Sequence, residues 1–191
     1  MSQLTYLRKA ISASMLIALC VVLPMAFHTI PRAGSIILPM HIPVLLAGLI
    51  CGPLFGLIVG LTGPLLSHLF TGMPPAGVLQ SMMLELAMYG FVAGWAIKLV
   101  RTRSATIDLY VSLIIAMVAG RVVAGVAQAL FFFGGTYVDG VFTANYTWAL
   151  WVGSYFATSI PGIVIQIAFI PSVVMALERE RVIPFRYPVK A

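Results

Sequence analysis

Residues 78–98 read VLQSMMLELAMYGFVAGWAIK. The stretch is apolar apart from a narrow line of Ser81, Glu85 and Tyr89 with nearby Gln80, and it ends on Lys98. A water-facing helix would show a broad polar face, and this one does not. Crossing the hydrocarbon core of a bilayer as an α-helix takes about 20 such residues, each adding about 1.5 Å. The stretch therefore reads as a membrane span.

Working outward from it, the same pattern recurs along the 191 residues. Spans are expected at about 10–27, 41–57, 57–70, 78–98, 108–133 and 148–177. The last is longer than a bilayer requires and carries Pro161 and Pro171, so it should tilt, kink or protrude. The second and third meet around Gly52-Pro53 and Gly56. Composition agrees: 61% of residues are hydrophobic and 8% charged, against roughly 25% charged in a soluble domain. So little charge cannot cover a wet surface, which excludes a soluble enzyme, and the hydrophobic content excludes disorder. A β-barrel is excluded because the runs are long and lack two-residue alternation. The chain is expected to be one domain, residues 1–191, an all-α integral membrane protein with six transmembrane helices.

Charge sets the expected orientation. Nine of the eleven basic residues (Arg8, Lys9, Lys98, Arg101, Arg103, Arg179, Arg181, Arg186 and Lys190) fall on one side of a six-span chain. The positive-inside rule makes that side cytoplasmic, with both the N- and C-termini there. The outer loops, about 28–40, 71–77 and 134–147, carry only Arg32 and Asp139. No small-residue cleavage site follows the first apolar run, so it is expected to be a retained span. Cys20 and Cys51 lie inside apolar runs and read as small buried hydrophobes.

Glu85 and Arg121 are the ionisable residues well inside spans. Each costs a few kcal/mol at the membrane centre unless paired or hydrated. They are expected either to bridge two helices or to face a substrate cavity, where an arginine would suit a carboxylate. Residues three and four apart share a helix face. Ser81, Glu85 and Tyr89 form one polar stripe, Arg121, Gly125 and Gln128 a second, and Trp151, Tyr155, Thr158, Ser159 and Gln166 a third. The second and third spans have almost no polar residues between their ends. This asymmetry predicts an outward-opening pocket walled by the last three spans. The loop at 134–147, with Asp139 and Asn145, could act as its lid. The candidate substrate-binding residues are Glu85, Arg121, Gln128, Ser81, Tyr89, Asn145, Tyr155 and His41.

Ala10, Ser14 and Ala18 repeat every fourth residue, a small-residue ladder that lets another helix come close. The chain has no HExxH pair, no GxSxG elbow and no Walker A loop. No catalytic residue, cofactor or metal is expected, because His28, His41 and His68 have no ligand spacing. Active transport would then draw energy from another chain or from an ion gradient.

Several segments together carry a family resemblance: Leu38-Pro39-Met40-His41-Ile42-Pro43-Val44, Gly52-Pro53 through Gly60, Thr71-Gly72-Met73-Pro74-Pro75, Ala119-Gly120-Arg121 and Ser159-Ile160-Pro161-Gly162. In this order, over about residues 8–180, they resemble the substrate-binding S components of energy-coupling factor (ECF) vitamin transporters. The resemblance implies a six-helix membrane protein that captures a vitamin from outside beneath its outer loops. It implies docking on a transmembrane T component that bears two cytoplasmic ATPase subunits. ATP hydrolysis there would topple the S component in the bacterial plasma membrane. It also implies that Ala10, Ser14 and Ala18 contact the T component, with Ser14 departing from the family's Ala-x-x-x-Ala pattern. Pantothenate-type members are most similar, and pyridoxine and hydroxymethylpyrimidine types compete. A stand-alone proton-coupled secondary transporter, with Glu85 and Arg121 as its relay, is the alternative outside this family.

Overall fold

A computed structural model describes residues 6–27, 33–131, 136–138, 141–143 and 152–183. The helices are α1 (Tyr6–Ala26), α2 (Ala33–Ile37), α3 (His41–Cys51), α4 (Pro53–Thr71), α5 (Ala76–Leu99), α6 (Ala105–Phe131) and α7 (Ile160–Arg179). Two short antiparallel strands, β1 (Thr136–Val138) and β2 (Val141–Thr143), follow α6 and pair Tyr137 with Phe142. A π-helical turn, Gly153–Ala157, precedes α7.

Among the described residues, five helical segments are long and apolar enough to cross a membrane: Tyr6–Ala26, Pro53–Thr71, Ala76–Leu99, Ala105–Leu130 and Tyr155–Arg179. The sixth apolar helix, α3, has 11 residues and a length of about 16 Å, well short of a bilayer. The expected spans at 41–57 and 57–70 are therefore unequal, and they divide at Gly52 rather than near residue 57. Gly52 adopts φ 101°, a region that disfavours any side chain, and Pro53 then supplies a preset first turn for α4. The span expected at 148–177 is interrupted as well. Ser159 leaves helical geometry, and Pro161 lies in the first turn of α7, where its missing N–H costs nothing. Pro171 is the proline inside α7. The expected loop at 28–40 contains α2, and the one at 134–147 contains β1 and β2.

Helix α5 is the centre of the bundle, packed against α3, α4 and α6. Its approach to α3 and α4 depends on a glycine seam. A Cβ on Gly90 would collide with the Gly56 backbone, and one on Gly48 or Gly56 with the Gly90 carbonyl. Gly60 presses on Leu86 and Ala87, and Gly94 on Gly52 and Pro53. In lipid there is no hydrophobic gain from helix association, so this close van der Waals contact is the main attraction. Helix α1 packs its Ala13, Leu16 and Cys20 face against α3 and α4. Helix α7 lies against α2, α3 and α6. The rest of the surface is apolar: Leu69, Phe70, Leu99 and Leu130 are each at least 66% exposed, which suits hydrocarbon and not water.

The described lysines and arginines other than Arg121 collect at one end. Lys9 is near enough to Cys51 for its charge to act there, Lys98 Nζ lies beside Gly52, and Arg8 and Arg181 line one groove. Arg101 and Arg103 sit in the α5–α6 turn, which buried Asp108 closes by accepting bonds from the Thr102 backbone N–H (2.8 Å) and hydroxyl (2.7 Å). The polar interior of the bundle lies toward the other end.

Candidate functional site

The polar stripes on α5 and α6 meet face to face. The helices are antiparallel, and Gln128 Nε2 donates to Ser81 Oγ at 3.1 Å. Two turns deeper, the Tyr89 ring lies on Gly120, where any Cβ would strike it. These two pairings define a register that places Glu85 level with Ala124, itself fully buried. Glu85 itself turns toward α3. Its Oε1 lies 3.7 Å from His41 Nε2, and the His41 ring packs against Tyr89 at 5.1 Å between centroids. Tyr89 is within electrostatic reach of both Glu85 and Arg121.

Arg121 turns to the chain before α7. Its Nη2 donates to Ser159 Oγ at 3.1 Å, and its guanidinium lies 5.1 Å from the Phe156 ring centroid. The Ser159 hydroxyl in turn donates to the Tyr155 carbonyl. The break between the π-helical turn and α7 is what points Ser159 and Phe156 inward. All these polar side chains are buried: His41 2%, Ser81 2%, Glu85 7%, Tyr89 0%, Arg121 3%, Gln128 6% and Ser159 2% exposed.

Of the eight expected substrate-binding residues, His41, Glu85, Tyr89 and Arg121 form one connected group, and the Ser81–Gln128 pair lies one helical turn from Glu85 on the same faces of α5 and α6. Tyr155 borders the connected group through its carbonyl, and Asn145 lies outside the described residues. The walls differ from the expectation. Helix α3 completes a ring with α5, α6 and α7 and contributes His41, although the second span looked almost free of polar groups. Gln80 and Thr158 point away and are exposed, with Thr158 Oγ1 bonded to the Gly153 carbonyl at 3.1 Å. Trp151 lies outside the described residues.

Phe156 is the residue that sequence reasoning missed, since an aromatic in an apolar run carries no signal of its own. Ser159 stood in the third stripe but was not singled out. Its place just before Ile160-Pro161, where a helix starts, was the available sign. Gln166 is fully buried on the inward face of α7, and neither end of its amide has a hydrogen-bond partner among the described residues. His68 serves the scaffold, since its Nδ1 lies 2.7 Å from the Pro74 carbonyl and ties α4 to the turn before α5.

Chemically, the cluster offers one guanidinium, one carboxylate, one imidazole, a phenol, hydroxyls and amides in a low-dielectric interior. Such groups bind a small polar molecule by exchanging the bonds they now make with one another. Among the described residues, no three His, Cys, Asp or Glu side chains gather as a metal would require. Ser14 and Ala18 are exposed on α1 and Ala10 is half-buried, on a flank separate from the Ala13, Leu16 and Cys20 face. Ser14 Oγ satisfies itself on the Ala10 carbonyl at 3.0 Å, so the ladder presents little unpaired polarity.

The model of the ECF transporter substrate-specific component family matches residues 8–174. No curated protein and no solved structure matches the chain.

Proposed function

This chain belongs to the family of substrate-specific components of ECF transporters, and from that premise we propose that it captures a water-soluble vitamin, with pantothenate as the substrate. Members of the family are transport subunits, not enzymes, and they bind a small substrate and work with a T component and ATPases. The observation that carries the substrate reading is Arg121, a buried guanidinium held by Ser159 and Phe156 beside the His41–Glu85 and Ser81–Gln128 pairs. A guanidinium takes a carboxylate through two parallel bonds. Gln128, Ser81 and the His41–Glu85 pair supply donors and acceptors for hydroxyl and amide groups. Pantothenate has all three group types.

In this reading the basic end faces the cytoplasm with both termini, and α3 counts as a sixth, short crossing, in a bacterial plasma membrane. The polar end faces outward beneath the 134–147 loop, where Asn145 would join the site. Ala10, Ser14 and Ala18 take the T component, which carries two ATPases.

The test is a thermal-shift panel of water-soluble vitamins on the purified chain. Pantothenate at 100 times its dissociation constant should add about 2.7 kcal/mol to stability. A shift with pyridoxine or hydroxymethylpyrimidine and none with pantothenate would overturn the substrate. The buried His41–Glu85 pair favours one second reading, a proton-coupled carrier acting alone. Proton-dependent pantothenate uptake by the lone chain in liposomes would establish that reading and displace the first.

A further inference from the structure

At the basic end, the start of α1 and the chain leaving α7 border an open groove of about 350 Å³ lined by Arg8, Ile11, Ser12, Arg181, Val182 and Ile183. The geometry points to a site for a phosphodiester headgroup, with an anionic phospholipid as its source. The inference is independent of the transport reading.

The way α7 ends supports it. Arg181 adopts φ 58°, a left-handed conformation usually filled by glycine at this place in a helix terminus. The turn sends the Val182 and Ile183 N–H groups back to the Leu177 carbonyl at 3.0 and 3.3 Å. It buries Ile183 and leaves Arg181 exposed at the rim, opposite Arg8. Neither guanidinium has an ion-pair partner among the described residues. Lys9 and Arg179 add positive charge nearby, and Glu178 and Glu180 offset part of it. Arginine forks match phosphate oxygens, and the Ser12 hydroxyl adds a donor.

The walls argue for a lipid over a free phosphate. Ile11, Val182 and Ile183 would gain nothing from an inorganic ion. Above Ile11 the exposed residues Met15, Leu19 and Val22 continue along the same side of α1 into the hydrocarbon, a track for an acyl chain. That side adjoins the Ala10, Ser14 and Ala18 flank, since Ala18 stands three and four residues from Met15 and Val22.

The experiment measures phosphatidylglycerol and phosphatidylcholine retention and thermal stabilisation for the detergent-purified chain. The variants are Arg8→Gln/Arg181→Gln and, as a control of equal charge at the same end, Arg101→Gln/Arg103→Gln. Losing the charge-assisted bonds of two arginine forks to one phosphate costs roughly 30-fold or more in affinity. The first variant should retain phosphatidylglycerol about 30-fold more weakly, with phosphatidylcholine behaviour unchanged, and the control should match the wild type. Equal losses in both variants, or none in the first, would overturn the site. Inorganic phosphate reproducing the full stabilisation would overturn the lipid source.

Discussion

Replacing Arg121 by methionine separates a binding arginine from a structural one. The methionine keeps an unbranched apolar stem and removes the guanidinium. Among the interactions lost are the bond to Ser159, the contact with Phe156 and the electrostatic interaction with Tyr89. An interhelical hydrogen bond in a membrane is worth about 0.6 kcal/mol, and a desolvated cation–π contact about 2. Gained is relief from a charge that costs about 2.5–3.5 kcal/mol at mid-membrane by insertion scales. The terms nearly cancel, so the melting temperature without added vitamin should move by only a few degrees. Binding behaves differently, because the carboxylate would lose a charge-assisted fork worth about 3 kcal/mol, roughly 150-fold in affinity. Calorimetric titration with pantothenate and a melting curve on the same sample give both numbers. Arg121→Lys, which keeps the charge and loses the fork, should fall between. Unchanged pantothenate affinity with a large loss of stability would refute the reasoning and make Arg121 a strut between α6 and α7.

Gly90→Ala tests the glycine seam: its Cβ would meet the Gly56 backbone, so α4 and α5 must separate. Overpacking of this kind costs about 1–3 kcal/mol, seen as a melting temperature lower by several degrees. An unchanged melting temperature would show that the helices are not so close. Ser14→Leu places a branched side chain on the exposed flank of α1. It should abolish copurification with the T component and ATPases while leaving vitamin binding within twofold, and normal copurification would remove this flank as the docking face.

Membership of the lipid phase was legible residue by residue. Long runs without charge leave no alternative solvent, and the placement of Arg8, Lys9, Lys98, Arg101, Arg103, Arg179 and Arg181 at one end follows from counting crossings. Six of the polar residues buried between these helices could be named because a polar group inside an apolar run is expensive, and helix periodicity shows which of them share a face. The Gly52-Pro53 to Gly60 segment was legible as a family mark but not as a seam, since what a glycine does depends on which backbone approaches it.

Packing settled the rest. Which helix faces which is a long-range matter that no local period encodes. Only the assembled bundle brings His41 from α3 to Glu85, places Ala124 at its level, and sets Tyr89 on Gly120. The break at Ser159, which turns Phe156 and a hydroxyl onto Arg121, also needs the tertiary fold, because backbone released from a helix at membrane depth must be buried in protein to survive. The chain's solvent was written in its composition, and its choice of partners inside that solvent was made by the close approach of α3, α5, α6 and α7.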